Sequence, residues 1–427
     1  MRRSITVAIA SAAIIVSACG SSSPTATPGA SAPTTTTAPA TTAPASAAPA
    51  VEGSAILSGW QSSPSEGNAL TQTLLGFQAA FPAVKVDYQP VAGDYPTVMA
   101  KNFASGDVPD VFYVNADYAQ QWIDEGFLEP LDDYIAKSGF DIGQFYDGYE
   151  SIFKGKDGKI YGLAKDGNTI GLAYNTAMVT AAPTTMAELV TLARSLKGTN
   201  DLKAPICLNA GLDRGLAFLY ANGGSLLSED GKSSAIETDA SKAAVQAYLD
   251  LFKEGLGMTA SDLGAGWCGE ALGKKSAAIV FEGGWVDPYM SSTFPDVKYG
   301  WAQVPTGTSG SPVTISFTVS YSIGSQSRNK DQGWVLLSYL TGQEGMTTWT
   351  SGGVALPSRK DVPTPAGKEI LAAGSAFARP GSGFMPGWPE VQAAFANAMT
   401  AEIQGKTFDA SPVAAATAAA IAKALSQ

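Results

Sequence analysis

Apolar positions along this chain recur either in strict alternation or at helical spacing, and the two patterns take turns. "SAILSGW" (54–60) is a short apolar run that ends in Gly-Trp. "NALTQTLLGFQAAFP" then sets Leu70, Leu74, Phe77 and Phe81 on one helical face, and Pro82 stops the run. "VKVDYQPV" alternates like a strand, "YPTVMAKNFASG" reads as a helix, "PDVFYVN" as a buried strand, and "DYAQQWIDEGFLEPLDDYI" as helix again. Further on, "TTMAELVTLARSL" carries Thr185 and Glu188 in capping-box positions. "ETDASKAAVQAYLDLFKEG" predicts a longer helix, "KSAAIVFEGGW" a strand running into a glycine turn, and "TISFTVSYSIG" a strand. "KDQGWVLLSYLTGQEGMTTWT" predicts two short helices or one broken helix, and "VAAATAAAIAKAL" a final helix. Strands alternating with helices predict α/β layers around a largely parallel sheet.

The first residues follow neither pattern. "MRRSITVAIASAAIIVSACG" has Arg2 and Arg3, then an apolar run too short for a comfortable membrane span, which is the layout of a signal peptide over 1–18. "VSAC" resembles the bacterial lipobox; the resemblance implies cleavage before Cys19 and a lipid on its sulfur. An ordinary signal peptide with an incidental cysteine is the alternative. Residues 19–51 are nearly all Ser, Thr, Pro, Ala and Gly, which cannot form a core. They read as a disordered tether, with a root-mean-square span of roughly 30 Å if flexible.

The chain has 427 residues, enough for two or three domains, and 45% are hydrophobic, enough for sizeable cores. A net charge of −11 argues against nucleic acid and against a polybasic hold on a membrane. There is no histidine, so His-based triads and His-ligated zinc are excluded. With Cys19 lipidated, Cys207 and Cys268 remain, either as a disulfide or as two separate buried thiols. Neither has a C-x-x-C partner that would suit a metal. A bridge between them would add on the order of 4 kcal/mol in the chain-entropy model.

Several stretches, in order, resemble the extracellular sugar-binding proteins of ABC importers, the family that includes maltose-binding protein. They are "ASGDVPDVFYVNADYAQQWIDEGFLEPLDDY", "KDGKIYGLAKDGNTIGLAYN", "PTTMAELVTLARSL", "LYANGGSLLSEDG", "GKKSAAIVFEGGWV" and "GGVALPSRKD". The resemblance runs from about residue 55 to beyond 390. It implies an α/β, type II periplasmic-binding-protein fold of two lobes, with ligand held in the cleft between them and crossing strands joining them. Residues 52–165 with 318–350 would form lobe 1, and 166–317 with 351–427 lobe 2. The crossings should fall near Tyr161–Asn168, Pro312–Thr318 and Thr350–Val354. It further implies a monomeric lipoprotein on the outer face of the cell membrane, handing a mono- or oligosaccharide to an ABC permease without cofactor or metal.

A sugar offers two C–H faces and a rim of hydroxyls, so a site for it needs flat aromatics and hydrogen-bonding side chains. Trp285, after two glycines at a strand end, is the leading aromatic; it stacks on sugar or seals the core beneath its turn. Its neighbour Glu282 binds hydroxyls or serves the backbone. Trp60 with Gln61 follows the first strand, and Asn115 and Asp117 open a helix that they also could cap. Asn168 stands where the family often has a carboxylate, and Asp166 takes over that role or pairs with Lys165. Trp267 matches a further aromatic ligand position or simply packs, Ser316 and Phe317 lie on the second crossing, Arg379 aligns with an arginine that reaches the cleft in some relatives or forms a surface salt bridge, and Trp388 is a weaker candidate. Rival readings are a binder of a polyol or glycerol phosphodiester, and a glycosidase with two acids across the cleft, about 5–10 Å apart. "GAGWCG" fits a dinucleotide fingerprint only formally, since no convincing strand precedes it.

Overall fold

A computed structural model describes residues 51–61 and 64–426. The expected signal peptide, Cys19 and nearly all of the expected tether lie outside the described residues. Among the described residues, eleven strands form two sheets: β1 (Gly53–Gly59), β2 (Val84–Pro90), β3 (Val111–Asn115), β4 (Leu163–Thr169), β5 (Gly171–Asn175), β6 (Ile206–Cys207), β7 (Gly257–Met258), β8 (Ile279–Glu282), β9 (Tyr299–Ala302), β10 (Thr314–Ile323) and β11 (Ala378–Pro380). The first sheet runs β11-β10-β3-β1-β2, with β4 also on β10, and the second runs β7-β6-β8-β5-β9.

Each sheet has its own core. Helices Pro64–Ala80, Tyr95–Ser105 and Lys330–Leu340 supply Leu70, Phe77, Met99 and Leu337 to one cluster with Leu57, Val114 and Ile323 of the first sheet. Strand alternation splits the second core in two. Ile279 and Phe281 of β8 enter one cluster with Leu249 and Phe395, whereas Val280 enters another with Leu272 and Met290. The helix Met186–Leu196 begins with the capping box formed by Thr185 and Glu188. Cys207 on β6 and Cys268, at the start of a short helix, are disulfide-bonded, with Cα atoms 5.5 Å apart.

The sheets are mixed rather than largely parallel. β1 pairs parallel with β2 and β3, and β6 with β7 and β8, as helix-connected strands do. The antiparallel partners are β4 and β10 in the first sheet and β5 with its two neighbours in the second. β4, β5 and β10 carry the chain between the lobes; β10 and β5 run against the helix-connected strands of their sheets, whereas β4, antiparallel to β10, runs in the direction of β3. The first crossing is the step from β4 to β5 around Ile170, just beyond the expected stretch, and the second passes through the start of β10.

The third crossing falls later than Thr350–Val354. Leu356 bridges to Gly167 and Arg359 to Phe145, and Val354 and Val362 pack in the first core. The stretch 351–362 therefore belongs with lobe 1, because its apolar side chains find their partners there. The chain meets lobe 2 at Lys368, which donates to the Gly284 carbonyl.

Candidate functional site

The ends of β1, β3 and β8 and the crossing strands β4 and β10 converge on two cavities. One, of about 760 Å³, is bordered by Trp60, Trp285, Trp349, Asp287 and Lys368. The other, of about 660 Å³, is bordered by Asn115, Asp117, Asp213, Phe317 and Gln392. Both share Asp166, Asn168 and Val319, so the crossing strands form the floor between two halves of one cleft.

Trp285 caps the helix Val286–Thr293, and its ring folds back over Gly283. A β-carbon there would lie 2.3 Å from the indole, which explains the glycine. The indole Nε1–H donates to Glu282 Oε2 at 2.9 Å. The same oxygen accepts from Arg214 at 2.6 Å, and the Arg214 guanidinium lies 5.1 Å from the Trp285 ring. Phe317 meets that ring edge-on at 5.9 Å. Trp285 is thus both a packed ring and a wall of the cleft, half-buried. Its polar edge is already spent on Glu282, so its remaining resource is an aromatic face.

Glu282 does not border either cavity. It is buried; burial raises its carboxyl above the ordinary carboxylate range, and Arg214 and the indole N–H oppose that rise. Its role is to hold Trp285. Trp60, also half-buried, is a second aromatic on the border of the larger cavity, held edge-on by Tyr95 at 5.0 Å and Tyr113 at 5.1 Å. Gln61 turns away from both cavities and lies against Gly67.

Asn115 caps the helix Ala116–Asp124, its Oδ1 accepting from the Asp117 amide at 2.9 Å, and both side chains border the smaller cavity. Asp166 is 8% exposed and accepts at Oδ2 from Lys165 at 2.5 Å and from the Trp349 indole at 2.8 Å. Phe317 faces the smaller cavity, but Ser316, its neighbour on β10, points the other way. The Ser316 hydroxyl is buried and donates to the Gly148 carbonyl at 2.5 Å.

Three other aromatic or cationic candidates lie outside the cleft. Trp267 folds over Gly269 and meets Tyr289 edge-on at 4.9 Å. Arg379 stacks 3.6 Å over Tyr220 in a separate groove with Ser309 and Phe384. Trp388 is 1% exposed and sits in the lobe 2 core, packed on Phe384. In each case a local apolar or aromatic partner takes up the surface that was expected to meet a ligand.

Sequence reasoning missed Trp349, Arg214, Asp213, Asp287 and Lys368. Trp349 carried a usable signal, an aromatic just before Gly352–Gly353 at an expected crossing. The other four carried none. Asp287 accepts from Tyr299 at 2.7 Å, Trp301 at 2.9 Å and Lys368 at 2.5 Å, partners scattered through the sequence. Among the described residues no cluster of His, Cys, Asp or Glu is arranged to hold a metal ion, and no helix is long and apolar enough to cross a membrane.

Residues 61–347 match the model of the bacterial extracellular solute-binding protein family. A protein of Brucella abortus (strain 2308), assigned as a binding protein, is 24% identical over 372 residues, covering 81% of this chain and 87% of its own length. The erythritol/L-threitol-binding protein of Mycolicibacterium smegmatis is 25% identical over 334 residues, 68% of this chain and 67% of that one. Among solved structures, the cyclic α-maltosyl-1,6-maltose binding protein of Arthrobacter globiformis superposes with a TM-score of 0.75 at 20% identity, over 87% of this chain and 100% of that one. With two lobes, a cleft floored by crossing strands and a family match over most of its length, this chain belongs to the bacterial extracellular solute-binding proteins.

Proposed function

We propose that this protein captures a neutral carbohydrate between its lobes and delivers it to the permease of an ABC importer. It acts as a monomer, tethered by a lipid on Cys19 to the outer face of the cell membrane, and it does not transform its cargo. One observation carries the reading: Trp60 and Trp285 border the same cavity, while the lysines of that cavity are already paired, Lys165 with Asp166 and Lys368 with Asp287. Aromatic faces suit the C–H faces of a sugar ring. Carboxylates neutralised in place act as hydrogen-bond acceptors for hydroxyls instead of as sites for a free ion. The relatives named above for tetritols and for a cyclic maltose oligomer support a polyhydroxylated neutral cargo. Ligand would favour the closed arrangement of the lobes, and the permease would read that arrangement.

A thermal-shift screen against mono- and oligosaccharides, with erythritol and L-threitol included, tests this. A ligand at 100 times its dissociation constant adds about 2.7 kcal/mol of stability. Trp285→Ala should abolish most of the shift. A panel in which no neutral sugar or tetritol stabilises the protein would end the reading.

A further inference from the structure

In the cleft floor, the chain has built a site for a cation and filled it with its own side chain. The Lys165 ammonium lies 2.5 Å from Asp166 Oδ2, 3.8 Å from the centre of the Trp349 ring and 5.1 Å from that of Tyr113. Its side chain is 4% exposed. The Trp349 indole N–H donates to the same Asp166 oxygen at 2.8 Å, which fixes the carboxylate against the ring. Aromatic faces around a carboxylate are the arrangement by which proteins recognise ammonium groups, because ring quadrupole and carboxylate charge both favour a cation. The consequence is felt in the cleft. Asp166 borders both cavities, and while Oδ2 is occupied, Oδ1 has no hydrogen-bond partner among the described residues.

We propose that Lys165 is a specificity-determining residue. Its ammonium occupies a cation site made by Asp166, Trp349 and Tyr113, so the cleft turns away ammonium-bearing solutes and presents Asp166 only as an acceptor for a hydroxyl. The consequence for cargo rests on the carbohydrate reading; the cation site itself does not. Lys165 and Asp166 are consecutive on β4, a crossing strand, so the countercharge accompanies the carboxylate through any lobe movement.

Shortening the lysine tests the site. Lys165→Ala removes the atoms that n-propylammonium would replace. The full chain carrying this change is titrated with n-propylammonium chloride, 1-propanol and sodium chloride, following melting temperature and tryptophan fluorescence. The expected result is saturable binding of n-propylammonium, at least tenfold stronger than to wild type, with no such response to 1-propanol. Absence of saturable binding, or an equal response in wild type, overturns the site. Should Lys165→Ala not fold alone, refolding in n-propylammonium but not in 1-propanol should recover folded protein, and failure to recover it counts against the site equally. For specificity, D-glucosamine is titrated into wild type and Lys165→Met; the variant should gain at least tenfold, and no gain overturns the selective role. Rescue by n-propylammonium in a protein that binds no neutral sugar would keep the site and remove the carbohydrate reading.

Discussion

Lys165 and Lys368 each place an ammonium 2.5 Å from an aspartate oxygen beside the cleft, yet the partner of Lys165 is the next residue and the partner of Lys368 lies 81 positions away. Both aspartates also accept from an indole, Asp166 from Trp349 and Asp287 from Trp301. The Lys165–Asp166 side chains are 4% and 11% exposed, and the Lys368–Asp287 side chains 8% and 24%. The Lys165–Asp166 ion pair closes no chain by itself, the link to Trp349 being made by the indole, so the effect of the pair is chemical: it sets the charge of the floor. The distant pair ties the third crossing to the turn that carries Trp285, since Lys368 also donates to the Gly284 carbonyl. Its effect is geometric. Similar ion pairs thus do different work according to how much chain they close.

The contrast can be broken by removing one charge from each pair. Asp166→Asn keeps the shape of the floor but leaves the Lys165 ammonium buried without a countercharge, and should cost about 3–5 kcal/mol in urea denaturation. A loss below about 1 kcal/mol would place this pair with ordinary surface bridges. Asp287→Asn should cost less, about 1–3 kcal/mol, because its carboxylate is more open. Calorimetry with a sugar from the screen should nevertheless show affinity lowered about tenfold, or about 1.4 kcal/mol, through the loosened Trp285 turn. Unchanged affinity would deny the geometric role.

Glu150 sharpens the comparison, because it lies under the same crossing strand as the local pair. Its Oε2 accepts from the Ala164 amide at 3.0 Å, and burial pushes its carboxyl up to about 8 from 4.5. The folded chain therefore keeps a proton that the unfolded chain releases. The associated stability is complete below pH 4.5 and is lost as pH rises to about 8. The stability difference between wild type and Glu150→Gln should decline across that window, and a flat difference would mean that Glu150 is charged in the fold. The smallest effect belongs to the double change Lys165→Met with Asp166→Leu. Removing both charges together should alter stability by less than about 1.5 kcal/mol, far less than Asp166→Asn alone.

Much of the fold was legible because it follows local rules. The helix Pro64–Ala80, the capping box at Thr185 and the long strand Thr314–Ile323 all lie where periodicity and caps put them. The sheets' mixed direction and the late third crossing were not legible. The mixed direction depends on how β4, β5 and β10 pair within their sheets, and the late crossing on which core receives Val354 and Val362; an apolar pattern says that a residue is buried without saying where. The site divided along the same line. Trp60, Asn115, Asp117, Asp166, Asn168, Trp285 and Phe317 gather at the cleft because they sit at strand ends or on crossing strands. Ser316 differs from Phe317 by one position, and strand alternation sends it to the opposite face. Trp267 and Arg379 match ligand positions only by resemblance, and each of them, like Trp388, has a nearer partner.

By itself, the sequence determined the alternation of strands and helices, the lack of histidine chemistry, the acidic charge and the glycine turn before Trp285. Those are properties of neighbouring residues, set by backbone sterics, periodicity and composition. Only the tertiary structure decided that Glu282 supports Trp285 with Arg214 and that Asp287 gathers Tyr299, Trp301 and Lys368. It also decided that Trp349 closes a ring over Lys165. Arg214, Lys368 and Trp349 come to these contacts from far along the chain, and a charge or an indole acquires its role only when packing chooses what lies within a few ångströms of it.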